Sequence, residues 1–234
     1  MPSGSCASLL EIDAKSRVRP VTSCCDPNGL SGVFDAGRAA SDARRYRRKG
    51  LTRETRTIAD LLIARGIGGA TILEIGGGIG DLQVELLRAG AARATSVEIS
   101  AAYESTAREL ATELGVDDRI EHHLADFARE PARIDPADAV ILNKVVCCYP
   151  DMPGLVRPAA DHTRRWLVLA FPADRWWIRI GVRVASVLQA TFRRPFRVFF
   201  HEPAAIVAIA REAGLREAAS RRGIFWQVQM LERA

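Results

Sequence analysis

From Thr71 onward, short continuous apolar runs alternate with longer amphipathic stretches, the pattern of a parallel sheet covered by helices on both faces. The runs predict strands at 71–75, 94–98, 119–124, 137–142 and 166–171, with helices near 80–89, 101–114 and 152–163 between them. Those lengths suit right-handed crossovers and a doubly wound α/β sheet. After Phe171 the rhythm breaks into a basic and aromatic segment, 172–200, followed by a helix at 203–213 begun at Pro203. Two last strands, near 215–220 and 224–231, are expected to pair antiparallel through Arg221-Arg222-Gly223.

Two helices precede the first strand. In the first, Arg38 to Lys49, Ala39, Ala40, Ala43 and Tyr46 line one side and Gly50 ends it. In the second, Thr52 is placed to cap, Ile58, Leu61, Leu62 and Ala64 form the inner face, and Gly66 follows the end. Residues 1–31, rich in Ser, Pro, Gly and Cys without sustained periodicity, read as a loose arm. The expected organisation is that arm followed by a single domain, 32–234, with N-terminal helices within 34–66 and an insertion at 172–200.

Composition narrows the function classes modestly. The net charge of +5 permits nucleic acid without indicating it, although arginine outnumbers lysine, which occurs only at Lys15, Lys49 and Lys144. Cys6, Cys24, Cys25, Cys147 and Cys148 are an odd number and mostly adjacent in sequence. Adjacent cysteines converge poorly on one tetrahedral ion, so no metal site is expected. With no secretory h-region and no apolar run long enough to span a bilayer, the reading is a soluble, reducing-compartment, cytoplasmic protein without an obligate protein partner.

The chemistry concentrates after the first strand, where Gly76, Gly77, Gly78 and Gly80 follow Glu74-Ile75 and precede an amphipathic helix. Strand, glycine turn and helix together let backbone approach a ligand and aim free N–H groups at it. The dinucleotide fingerprint would require glycine at position 81, which is Asp81. Acids at 74 and 81 would repel a pyrophosphate and suit a cationic ligand, which disfavours a nicotinamide oxidoreductase.

Leu73-Glu74-Ile75-Gly76-Gly77-Gly78-Ile79-Gly80 resembles motif I of class I S-adenosylmethionine-dependent methyltransferases. Glu98, ending the second strand, and Ala125-Asp126-Phe127, following the third, fit the same resemblance. It implies a Rossmann-like fold, mostly parallel with a C-terminal antiparallel strand, and S-adenosyl-L-methionine as cofactor. By position it places Glu74 near the methionine amino end, Gly76 and Gly78 against the ligand, Glu98 on the ribose, and Asp126 with Phe127 on the adenine. Read without it, Glu98 is an exposed strand-end carboxylate and Asp126 a helix cap. Phe34-Asp35 and Arg45-Tyr46-Arg47 resemble, more distantly, the helix before the domain in magnesium-protoporphyrin O-methyltransferases.

After the fourth strand, Asn143 can offer acceptors to the cofactor's ammonium group, Tyr149 can line an acceptor pocket, and Lys144 can serve as a base or remain a partly exposed charge. Cys147 and Cys148 read as small buried residues, and His122-His123 as a strand end. Within the insertion, Asp174 to Phe192 reads as a helix with Trp176, Ile180, Val184, Val187, Leu188 and Thr191 on one side and Arg175, Arg179 and Arg183 on another. A lid over the acceptor, a peripheral membrane contact and plain packing onto the sheet all fit it. Arg193 to Glu202 continues the alternation of arginines and aromatics, and His201 is the first candidate for a general base, or else structural. The leading expectation is methyl transfer to a small-molecule acceptor. The alternative is an RNA methyltransferase or a noncatalytic nucleic-acid-binding relative using Arg38–Arg56 and Arg175–Arg197.

Overall fold

The computed structural model describes residues 29–191, 196 and 198–234. The arm at 1–28, with Cys6, Cys24 and Cys25, and the run Arg193-Arg194-Pro195 with Arg197 lie outside the described residues, as do the side chains of Arg183, Val187, Leu188 and Thr191.

Helix α1 (Ala36–Lys49) begins where the Asp35 carboxylate accepts the Arg38 N–H at 2.8 Å, and it stops at Gly50, whose φ of 69° is left-handed. Ala39, Ala43 and Tyr46 are its buried face, as the spacing predicts, whereas Ala40 is only half-buried. Thr52 caps α2 (Arg53–Ala64) through the Thr55 N–H. Here the inner face differs from expectation: Ile58 and Leu62 are buried, Ala64 is exposed, and Thr55 and Ala59 are buried in its place. The helix rolls so that Thr55 meets the end of the fourth strand.

The seven strands are β1 (Thr71–Ile75), β2 (Arg93–Glu98), β3 (Ile120–Leu124), β4 (Ala137–Asn143), β5 (Thr163–Pro172), β6 (Leu215–Arg222) and β7 (Trp226–Arg233). They form one sheet in the order β3-β2-β1-β4-β5-β7-β6. The first five are parallel, and β7 runs antiparallel between β5 and β6. The turn of the last hairpin lies at Gly223–Phe225, two residues beyond the expected Arg221-Arg222-Gly223, because β6 stays paired to Arg222 opposite Gln227.

The crossovers are α3 (Asp81–Arg88), α4 (Ala101–Glu113) and α5 (Met152–Asp161), followed by α6 (Trp176–Thr191) and α7 (Pro203–Glu212). Two apolar layers flank the sheet. One joins α1 to α4 through Ala39, Ile58, Leu82 and Leu110, and the other joins α5 and α7 through Leu155, Val156, Ile206 and Ala210. Strand order reverses between β1 and β4, so their carboxyl ends open a crevice at the switch point. Among the described residues no helix is long and apolar enough to cross a membrane.

Candidate functional site

The glycine loop leaves β1 along this crevice. Gly76 has φ 69° and Gly78 φ 56°, and a Cβ on Gly76 would stand 2.5 Å from Cγ2 of Val145. Glu98, at the end of β2, holds the loop from the side: Oε2 accepts the Gly78 N–H at 3.0 Å, while Oε1 accepts those of Ile99 and Ser100 at 2.8 and 2.9 Å. Burial raises its carboxyl above the usual range, opposed by those three hydrogen bonds.

Beneath Gly77, three buried polar side chains converge. A Cβ there would meet Gln83 Nε2 at 2.4 Å, Ser96 Oγ at 3.0 Å and Glu74 Oε2 at 3.4 Å. Among the described residues, Glu74 Oε2 and both polar atoms of Gln83 have no hydrogen-bond partner, and nor has Asn143 Oδ1 at the end of β4. Burial, with the charge of Asp81 second, pushes the Glu74 carboxyl up to about 8. Buried groups left unsatisfied cost free energy, so this cluster is prepared for a polar ligand.

On the β3 side, Asp126 is buried, and its carboxylate accepts the Tyr149 hydroxyl at 3.1 Å, the Ala128 N–H at 3.2 Å and an ion pair from Arg129 at 3.3 Å. Burial and the Asp126 charge push the Tyr149 hydroxyl up to about 12. Phe127 turns the other way, into the core, edge-on to His162 at 5.3 Å. His201 reaches the same loop through Nε2, 2.9 Å from the Tyr149 carbonyl. Nε2 therefore carries the proton and Nδ1 is the nitrogen left to act as a base.

Lys144 faces the opposite direction. It is the one non-glycine residue among those described with positive φ, 64°. Its ammonium lies 3.2 Å from Glu54 Oε2 and 5.3 Å from the centre of the Trp226 ring. Beside that pair, a cavity of about 570 Å³ opens between α2 and the β6–β7 hairpin, lined by Arg53, Glu54, Leu61, Arg221, Arg222 and Trp226, among others. The neighbouring Cys147 and Cys148 place their sulfurs 3.8 Å apart, both near the Lys144 carbonyl. Among the described residues no group of three His, Cys, Asp or Glu side chains is placed to hold a metal ion.

Residues 72–165 match the family described as a methyltransferase domain. That match covers 94 of the chain's 234 residues. No curated protein matches it in sequence. Among solved structures, the magnesium protoporphyrin IX methyltransferase of Synechocystis PCC 6803 with bound S-adenosylhomocysteine aligns with a TM-score of 0.68 at 20% identity, over 88% of this chain and 98% of that one. The geranyl diphosphate C-methyltransferase of Streptomyces coelicolor A3(2) aligns at 0.60 and 17% identity, over 76% and 78%. An O-methyltransferase family protein of Burkholderia thailandensis gives 0.63 at 17% identity, over 86% and 64%. These likenesses are likenesses of fold.

The crevice presents both donors and acceptors to a polar ligand. Of about four lone-pair positions on a carboxylate, three on Glu98 are occupied by its own loop, which leaves one outward acceptor and fixes its direction. Glu74 and Asn143 each offer a free buried acceptor to an ammonium group. The backbone at Gly76 and Gly78 comes close without side chains. Sequence reasoning missed Gln83, Ser96, Thr55 and Glu54. Gln83 did leave a signal, since it shares the buried face of α3 with Leu86 and Leu87, where an amide needs a reason. Thr55, which accepts the Asn143 amide at 3.1 Å, left none, because its role depends on how α2 packs.

Segments from outside the matched region also reach this crevice. Ser100 Oγ donates to the Phe34 carbonyl at 2.7 Å, and the Phe34 ring meets both Tyr103 and Phe196 with centroids 6.0 Å apart. Tyr103 in turn donates to Asp42 of α1 at 2.9 Å. The N-terminal helices and the insertion thus meet beside the glycine loop.

Proposed function

We propose that residues 32–234 act as one domain that transfers a methyl group from S-adenosylmethionine to a small-molecule acceptor held between α2 and the β6–β7 hairpin. One observation carries the acceptor assignment: a cavity of about 570 Å³ adjoins the carboxyl end of β4 through the Glu54–Lys144 pair. Its volume falls within the usual range for small-molecule sites, roughly 300–1,000 Å³. Two of the similar folds are named for small acceptors, magnesium protoporphyrin IX and geranyl diphosphate.

The lining indicates the acceptor's class. Among the described residues Arg53, Arg221 and Arg222 make no salt bridge, whereas Glu54 is already neutralised by Lys144. Asp60 is the remaining acid, so the wall carries net positive charge beside Trp226 and Phe225. An acceptor with a flat apolar body and a carboxylate or phosphate group matches both features.

On the cofactor side, Glu74 and Asn143 would take the amino-acid end, Glu98 the ribose and Asp126 the adenine amine, with Gly76 and Gly78 against the chain between them. Phe127 would brace the Asp126 loop from the core. When bound, the cofactor supplies a methyl group on a sulfonium, whose displacement depends chiefly on in-line alignment. For an acceptor that must lose a proton, Lys144, paired with Glu54 of the cavity wall, would stabilise the developing anion, whereas Tyr149 keeps its proton at neutral pH. His201, through Nδ1, is the available base on the Tyr149 side.

Incubation of a cell extract with the protein and isotopically methyl-labelled S-adenosylmethionine, read by mass spectrometry, tests this. The expected result is a labelled anionic small molecule that Glu98→Ala does not produce. Label appearing in RNA would replace the small-molecule acceptor, and failure of the wild-type chain to bind S-adenosylhomocysteine in calorimetry would overturn the reading.

A further inference from the structure

On α6 the described residues of the apolar side, which the sequence leaves open between lid, membrane contact and packing, face outward. Ile178 is its buried residue, and Trp177 meets the Phe225 ring edge-on at 5.2 Å. Trp176, Ile180 and Val184, four residues apart, point outward, with exposures of 74%, 52% and 52%. Ile224 and Phe225, at the tip of the β6–β7 hairpin, are 64% and 61% exposed. The hairpin tip is bound to the start of α6 by the Ala173 N–H, which donates to the Phe225 carbonyl at 2.9 Å. The hairpin tip and α6, which carry the five side chains, are therefore joined at the helix start. They are most of the large apolar residues exposed among those described, the others being Val33, Ile63 and Leu124. A concentration of this kind marks a contact surface, since scattered exposed apolar residues are ordinary and clustered ones are not.

The charge around the patch selects its occupant. Arg179 is neutralised by Asp174 and Glu202. Arg175, Arg221 and Arg222 are exposed and make no salt bridge among the described residues. A two-fold dimer would set this patch against itself and bring like arginines together. A negatively charged lipid surface meets the same groups favourably: the apolar side chains enter the acyl boundary while the arginines remain among phosphates. Trp176, at the start of the helix, has the amphipathic ring that favours that boundary.

We propose that α6 and the β6–β7 hairpin form a docking surface for an anionic bilayer. Ile224 and Phe225 also line the cavity between α2 and the hairpin, so its mouth opens at the docked surface and an amphiphilic molecule can pass from lipid to cavity without crossing water. The docking itself does not depend on the methyl-transfer reading.

Co-sedimentation of the full chain with vesicles of phosphatidylcholine alone, or of phosphatidylcholine with a minority of phosphatidylglycerol, tests the proposal. The expected result is binding to the anionic vesicles at least about tenfold above that to neutral ones, weakened by salt. Trp176→Ser/Ile180→Ser/Val184→Ser should abolish it, and Arg175→Glu should reduce it. All three serines replace exposed side chains, and circular dichroism of the triple variant establishes that it is folded. Equal binding to both vesicles, no binding, or binding retained by the folded triple variant would overturn the proposal. So would a dimer in sedimentation equilibrium that the triple substitution dissociates, because the patch would then be covered by a second copy. Calorimetry with S-adenosylhomocysteine on the same preparations reports separately on the cofactor site.

Discussion

Val145 occupies the space that a side chain on Gly76 would need: its Cγ2 lies 2.5 Å from the position of a Cβ there. The two residues follow β1 and β4, so their contact fixes how closely the glycine loop approaches the loop after the fourth strand. Gly76→Ala should therefore carry two costs, left-handed strain of about 1–2 kcal/mol and displacement of Val145. Urea unfolding should show a loss of at least about 2 kcal/mol, partly recovered in Gly76→Ala/Val145→Ala, which removes the contact and keeps the strain. A Gly76→Ala protein as stable as wild type would mean that the loop does not adopt this conformation.

Lys144 is held in the left-handed region by its φ of 64°, a strained conformation for a residue with a Cβ and one that clusters at functional sites. Removing the side chain loses the pair with Glu54 and the contact with Trp226 in either Lys144→Ala or Lys144→Gly. The comparison of the two variants therefore isolates the backbone. Glycine should be the more stable by about 1 kcal/mol, the reverse of the usual order. Thermal unfolding decides it, and alanine at or above glycine would remove the strain argument. Both variants should lose activity if the ammonium faces the acceptor.

The sheet was legible because β1, β4 and β5 are buried enough to read as apolar runs, and Thr71–Ile75, at the centre, matched its expected bounds. The strand β3, with no buried residue, was legible only from the alternation of strand and helix around it. The hairpin turn was displaced because arginines in β6 look like turn residues in sequence while they pair in an edge strand. Glu74, Glu98 and Asp126 could be placed by their position at strand ends. The other half of the site could not, because Glu54 and Thr55 lie in α2 and Trp226 in β7, far apart in sequence and joined only by packing against the end of β4. The outward face of α6 was left open between lid, membrane contact and packing for a related reason: periodicity shows that a helix has an apolar side, but not whether the protein or something else covers it.

The Tyr149 hydroxyl donates to the Asp126 carboxylate, and its proton is held up to about 12 by burial and that charge. It positions Asp126, to which the proposed cofactor arrangement assigns the adenine amine. Tyr149→Phe should raise KM for S-adenosylmethionine about fivefold, the value of one hydrogen bond near 1 kcal/mol, with kcat nearly unchanged. The pH–rate profile between about 6 and 9 should keep its shape, since no titrating group is removed in that range. A lost basic limb in the variant would instead assign Tyr149 a proton-transfer role.

Glu74 makes the cofactor site sensitive to pH, and the sign follows from its burial. Its carboxyl moves from 4.5 to about 8 on folding, driven first by desolvation and then by Asp81. A folded value above the unfolded one stabilises the protein fully below about 4.5, progressively less between 4.5 and 8, and not at all above 8. At about 1.4 kcal/mol per unit, the ligand-free protein should lose a few kcal/mol of stability across that interval, and Glu74→Gln should flatten the decline. An ammonium group bound beside Glu74 favours the ionised form and so expels the proton. At pH 7, calorimetric titration with S-adenosylhomocysteine in phosphate and in Tris should give different apparent enthalpies, corresponding to release of up to about one proton. The difference should vanish in Glu74→Gln, and affinity in the wild type should rise with pH up to about 8. Equal enthalpies in the two buffers would show that the ligand's ammonium does not face this carboxyl.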